Sequence, residues 1–423
     1  MRVASVLACL LAASCTLDRS PIDPGPSDGS TPARDGGSRD GGMTPSDAQV
    51  PDGGGPHDGG PPDAGPDGGD VVRAVAIVAG RSFTCALRSN GEVLCWGDNA
   101  GHQLGDLEAA SSEAAVAVEL PARATAIAAG DAHACAILSD ERLFCWGKND
   151  RGQVDGAMGD PVATPTLVHA GARAVALGGK HSCLIDTAGA ARCWGDNREG
   201  QLGLDDTDDR DAPEAVTFGG SWRALALGGQ HTCGIASADG ALFCWGKNDK
   251  GQVGDGSTTG RRVPTHIDSI GTAVVAIGAG AVHTCALRAG VALCWGEGAD
   301  GRLGIGSSAV EEVPTLVAGL ADPVFIDGGL AHGCALRVGG RVSCWGKDDR
   351  GQLGPNATGT TGRNTPLGVP LTGSASELAV GGDHNCAIVA GAVWCWGQDD
   401  RGQLGAGAAG TAPQDIPALV SDL

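Results

Sequence analysis

The sequence predicts an all-β chain built as a seven-bladed β-propeller, and three observations carry that expectation. The tripeptide Cys-Trp-Gly begins at Cys95, Cys145, Cys193, Cys244, Cys294, Cys344 and Cys395, in steps of 50, 48, 51, 50, 50 and 51 residues. Each step holds three or four short strand-like runs bounded by Gly, Asn and Asp turns, and none shows a helical period. Units of about this length made of short strands are the blades of a closed ring. Composition narrows the core: with 72 Gly, 5 Phe, 9 Trp and no Tyr in 423 residues, packing must come from Ala, Val, Leu, Ile, Cys and Trp.

Three segments follow one another along the chain. Residues 1–15 read as a signal peptide, with Arg2 ahead of an apolar stretch too short to span a bilayer. It ends in Leu11-Ala12-Ala13-Ser14-Cys15, which resembles the bacterial lipobox, with Ala12 where that motif prefers Leu, Val or Ile. The resemblance makes Cys15 the lipidated residue; simple secretory cleavage is the alternative. Residues 16–70 form a linker of Asp, Gly, Pro and Ser whose eleven Asp and three Arg sum to −8. Such a segment buries too little apolar surface to offset its chain entropy and is expected to be disordered and extended. Residues 71–423 hold the repeats.

Within a repeat the elements come in a fixed order. An apolar run closing in small residues, such as Ala124-Thr125-Ala126-Ile127-Ala128-Ala129-Gly130, precedes a His-x-Cys segment. A short turn and Cys-Trp-Gly follow, then a Gly-rich tail such as Gly351-Gln352-Leu353-Gly354. A variable stretch leads on, often through a proline such as Pro264, Pro314 or Pro366. Treating Ser89-Asn90-Gly91 as a hairpin loop sets Leu87 against Val93 and Cys85 against Cys95. Shorter or shifted turns keep the same opposition in every repeat. Directly opposed strand positions bring Cβ atoms within bridging distance. The expected disulfides are Cys85–Cys95, Cys135–Cys145, Cys183–Cys193, Cys233–Cys244, Cys285–Cys294, Cys334–Cys344 and Cys386–Cys395, leaving Cys9 and Cys15 in the signal region. Zinc is disfavoured because the usual Cys-x-x-Cys pairs are missing. Sixteen Cys in one chain suit an oxidising compartment.

His133, His181, His231, His283, His332 and His384 each stand two residues before the first Cys of a repeat, with Phe83 in that place in the first. The hairpin register sets each opposite the Gly of Cys-Trp-Gly. This points to packing, because Phe83 replaces His without a ligand atom and a metal needs its ligands within about 2 Å. The seven repeat Trp read as blade packing too. Neither a metal nor a cofactor is expected. Ring closure is expected to pair a strand from 71–78 with one from 416–420.

His-x-Cys-Ala-Leu, Cys-Trp-Gly and Asn-Asp-x-Gly-Gln-Leu/Val-Gly together resemble the repeat of the regulator of chromosome condensation family (RCC1-like repeats) over about 71–423. The resemblance implies a seven-bladed propeller. The family's eukaryotic founder is a nuclear guanine-nucleotide exchange factor that binds chromatin, and another member is a secreted bacterial inhibitor of β-lactamases that presents its loops. Exchange activity is therefore one functional reading by family analogy.

The balance of 29 basic and 50 acidic residues, net −21, excludes a nucleic-acid partner and tight adsorption to an anionic membrane. A membrane contact is expected only through a lipid on Cys15. The leading reading is a monomeric, non-enzymatic scaffold, exported to the outer membrane or cell surface (alternatively secreted or periplasmic). It would bind an envelope or extracellular protein through variable loops on a rigid framework. The loop residues proposed for contact are Asp205, Asp206, Asp208, Asp209, Asp211, Arg261 and Arg262. A carbohydrate-active enzyme or glycan binder is the alternative. The sialidase mechanism is excluded because there is no Tyr nucleophile, and no Gly-rich tail is followed by the Lys-Ser/Thr of a phosphate loop.

Overall fold

The computed structural model describes residues 71–107, 111–156, 158–355, 362–406, 413–421 and 423. The expectations for the signal peptide, Cys15 and the whole linker fall outside these residues. Seven four-stranded antiparallel sheets follow one another, each made of four strands in chain order. Blade 1 consists of β1 (Ala74–Ala79), β2 (Phe83–Arg88), β3 (Val93–Gly97) and β4 (Ser112–Ala117). Two single-turn 3-10 segments, Asp268–Ile270 and Ala299–Gly301, are the helical elements among the described residues.

The predicted register is the observed one. Leu87 faces Val93, Cys85 faces Cys95 and Phe83 faces Gly97. His133, His231 and His283 likewise face Gly147, Gly246 and Gly296. All seven expected disulfides are present, each spanning 4.0–4.1 Å between Cα atoms. Non-reducing peptide mapping should therefore recover within-blade pairs alone; links between blades would overturn the register. Replacing Cys285 and Cys294 together by Ala should lower unfolding free energy by roughly 2–3 kcal/mol, read from the denaturant midpoint, because the closed loop is short.

The apolar core lies between blades as well as within them. One cluster joins Phe83, Cys85 and Leu87 of blade 1 to Ala134, Phe144 and Trp146 of blade 2. The Trp of every Cys-Trp-Gly is fully buried. Six of these seven indoles donate Nε1–H to a backbone carbonyl in the preceding blade's tail, as Trp146 does to Gln103 O at 3.0 Å and Trp96 to Gln403 O at 2.9 Å.

Ring closure differs from the expectation. β1 pairs with β2, and the last strand (Gln414–Leu419) pairs within blade 7, so no sheet mixes the two ends of the chain. The reason is that the sequence repeat and the blade are in phase, and no strand is left over to be borrowed. Contacts between blades close the ring instead. Ala74 N donates to Gly391 O, and Leu423 packs on the cluster that holds Ala74, Ile77 and Ile388.

Candidate interaction face

The seven inner strands surround a channel of about 610 Å³ lined mainly by Ala, Val, Leu, Ile and Gly. At one mouth, each inner strand ends in a glycine where the chain turns into the second strand. Seven backbone hydrogen bonds of 3.0–3.2 Å run from blade to blade around this mouth. They join Arg81 to Asp131, Asp131 to Gly178, Gly179 to Gly228, Gly229 to Ala281, Ala281 to Gly329, Leu330 to Gly382 and Gly382 to Gly80. A Cβ on Gly80, Gly130, Gly178, Gly228, Gly280, Gly329 or Gly381 would come within 2.5–2.8 Å of a carbonyl oxygen of the next blade. The small residue closing each apolar run thus permits this close approach of backbones.

The histidines work in the same seams. His133 Nε2 lies 2.9 Å from Ser182 Oγ of the next blade, and that hydroxyl donates to Gln153 O in the tail of the histidine's own blade. His181 with Thr232, His231 with Thr284 and His384 with Thr84 repeat the arrangement, and His332 meets Asn385 Oδ1. Where Phe83 replaces His, the next blade offers Ala134, so an apolar pair replaces a polar one. One seam has no match: His283 faces a blade carrying Gly333, and both of its ring nitrogens are buried without a hydrogen-bond partner. Burial holds His133 and His231 down at about 4 and His181 and His384 at about 3, and lowers His283 and His332. Replacing a buried unsatisfied group by an apolar one of similar shape is neutral or stabilising. His283→Phe should therefore raise the thermal midpoint or leave it unchanged, whereas His231→Phe, which removes the hydrogen bond to Thr284 and leaves that hydroxyl only Gln252 O, should lower it.

Two acids interrupt the apolar channel wall. Asp327 stands where the other blades have Val78, Ala128, Ala176, Ala226, Gly278 and Ala379 opposite the first Cys. Burial pushes its carboxyl up to about 7 against the opposing pull of the Gly328 and Ala279 amides. Glu377 is 8% exposed, its Oε1 has no partner, and burial raises it to about 8.

The tails leave the third strands at this same mouth, since Gly97 pairs with Phe83 and Asp98 N donates to Ser82 O. In each of blades 1–4 an Asn latches the tail. Asn99 Oδ1 accepts from Leu104 N at 2.9 Å while its Nδ2 donates to Asp106 Oδ1 at 2.7 Å. In blades 6 and 7 the latch is Asp348 or Asp399, accepting from Leu353 or Leu404. The residue seven places on is then Pro355 or Ala406 rather than Asp106 or Asp255, so two carboxylates are not opposed. Burial, with nearby acids, still raises both latches to about 6.

The proposed contact residues all lie on this face. Asp205 N donates to Arg262 O at 3.1 Å, so the acidic and basic segments, distant in sequence, are neighbours across the seam of blades 3 and 4. Three of the seven are committed to the loop architecture. Asp206 accepts from Asn197 and Arg210, Asp209 accepts from Asn197 N and pairs with Arg151 at 3.5 Å, and Arg261 donates to Asp255 at 2.6 Å. Asp205, Asp208, Asp211 and Arg262 are exposed, and none makes an ion pair among the described residues. Reading the sequence missed the Asn latch, whose signal was its place two residues after the Gly of Cys-Trp-Gly in four blades. It also missed the Ser/Thr between His and Cys as the histidine's partner in the neighbouring blade. Among the described residues, no group of three or more His, Cys, Asp or Glu side chains is placed to hold a metal ion.

Comparison with known proteins gives a consistent picture. The family model for the RCC1-like domain matches residues 55–329, and models of the RCC1 repeat match 324–352 and 390–423. The structure of human WBSCR16 is similar at 25% identity and a TM-score of 0.67, covering 75% of this chain and 86% of that one. Prp20p from Saccharomyces cerevisiae, described with its binding properties to Gsp1p and histones, is similar at 19% identity and a TM-score of 0.70, covering 82% and 88%. Yeast RCC1 (Prp20), in the structure with Kap60 bound, gives 19% identity and a TM-score of 0.70 over 82% and 85%. No curated protein matches the sequence. With more than half of the chain matched by one family model and seven blades built from the matching repeats, this chain belongs to the RCC1-like domain family.

Proposed function

We propose that the chain is an exported, lipid-anchored propeller that binds a protein partner through the tail loops around the hydrogen-bonded mouth. The observation that carries the reading is the gathering of Asp205, Asp208, Asp211 and Arg262 on one face as exposed charges without ion pairs among the described residues, beside Asp206, Asp209 and Arg261, which are used within the loops. Divergent loops on a rigid framework are how such folds acquire partners. Prp20p, similar in fold, is described as binding Gsp1p and histones, which supports protein binding as the use of this architecture. Seven disulfides suit an oxidising compartment. No helix of the described residues is long and apolar enough to cross a membrane, so Cys15 would supply the anchor.

The test is quantitative capture from solubilised envelope and secreted fractions by the full chain. A variant with Asp205, Asp208 and Asp211 changed to Asn and Arg262 to Gln serves as comparison. A near-stoichiometric protein held by the native chain and lost by the variant is the expected result. Retention of glycan in place of protein would overturn it in favour of a carbohydrate ligand.

A further inference from the structure

The outer strands carry a pattern that the proposed function does not use. In each blade, the residue just before the partner of the second Cys can be read from the pairing. In six blades it is proline: Pro165, Pro213, Pro264, Pro314, Pro366 and Pro417. In blade 1 it is Ala115, since Cys95 pairs with Val116. Val118 N donates inward to Val93 O, and Val216, Ile267, Val317 and Val420 do the same in their blades. Strand amides alternate in direction. Val116 and Val118 therefore point their amides at β3 and Ala117 points its own away from the sheet; Ala115, next to Val116 and at the edge of the register shift between Ser112 and Val116, takes the outward direction as well. The six prolines occupy that outward position, where the missing N–H costs the blade nothing and denies a hydrogen bond to any added strand.

We propose that the edge of blade 1, Ser112–Ala117, is a strand-addition site for an extended segment of a partner protein in which basic residues flank a short run of small or β-branched residues. The outward amides and carbonyls on either side of Ala115 call for an extended backbone. Ala114 and Ala117 are exposed and small, leaving room for the incoming side chains. Glu113 and Glu119 flank the edge, and Glu113 is one of the charges that raise Asp399, so the local field is negative. A second copy fits poorly: antiparallel pairing centred on Val116 sets Glu113 against Glu119, and each chain carries a net charge of −21. The Glu113 end of this edge lies against the blade 7 tail at Gly402, but the edge belongs to blade 1 and the exposed charges of the proposed contact face to blades 3 and 4, so the two tests are independent.

The full chain would be titrated with the amidated peptide Lys-Thr-Val-Thr-Val-Lys and with its counterpart bearing Glu at both ends. The expected result is saturable one-to-one binding of the basic peptide, at least tenfold weaker binding of the acidic one, and slowed hydrogen exchange at the Ala115 and Ala117 amides. Ala115→Pro should reduce binding at least tenfold and keep the fold, since proline stands at this register in the six other blades. Because that variant leaves the charge unchanged, equal binding by it would show mere electrostatic adsorption and overturn the site. Should the variant misfold, the exchange data on the native chain decide: protection confined to other segments, or none, sinks the idea. A concentration-dependent dimer that protects these same amides without peptide would replace the proposed occupant with a second copy.

Discussion

Stability should fall steeply between pH 6.5 and pH 5, by on the order of 3 kcal/mol, from a maximum near pH 7. Six buried histidines are neutral in the fold, with His133 and His231 held at about 4 and His181 and His384 at about 3. In the unfolded chain each takes a proton near pH 6.5. Their contribution is therefore whole above pH 6.5 and is lost as the pH falls toward the folded values. Asp327, Glu377, Asp348 and Asp399 act in the opposite sense. Their folded values of about 7, 8, 6 and 6 lie above the unfolded ones, so they stabilise the fold as they become protonated. The histidines outnumber them, and a net uptake of about two protons on unfolding near pH 5 follows. Urea unfolding at pH 7, 6 and 5 gives the slope directly. A flat profile would mean that the histidines are not held neutral in the seams.

Gly228→Ala is expected to destabilise the ring strongly, by about 3 kcal/mol or more. Its Cβ would lie 2.5 Å from Gly280 O of the next blade and press on the ring of His231. Neither can yield easily. The carbonyl belongs to the adjoining turn, and His231 is held by Thr284 at 2.9 Å. Gly219→Ala, where nothing lies within 4 Å of the added carbon, should change stability by less than about 0.5 kcal/mol. Chemical denaturation of the two variants side by side checks the contrast. Equal midpoints would show that the blades can separate at the mouth without penalty.

Fold and register were legible in the residues because both are local. A hairpin obliges Cys85 to meet Cys95, and the count of Cys-Trp-Gly sets the number of blades. What lay between blades was not legible, because one unit's pattern says nothing about its neighbour's orientation. His133 could be placed against Gly147, but its partner Ser182 is 49 residues away. Of the loop residues, Asp206 and Asp209 looked like a free acidic run. Their commitment to Asn197, Arg210 and Arg151 depends on tail geometry that spacing does not encode. The closing strand was misassigned for a related reason: terminal apolar runs look like unpaired halves until it is known that each blade is already complete.

That completeness makes the seam between the last and first blades the same in kind as those from blade 2 to blade 5, with the Thr84–His384 contact at 2.9 Å repeating the one between Thr232 and His181. The ring should then tolerate circular permutation. Joining Leu423 directly to Val71 would separate Leu419 from Ala74 by seven residues, 420–423 and 71–73. The native connection between His266 and Val274 has the same length, 267–273. New termini opened in any tail loop would leave every sheet whole.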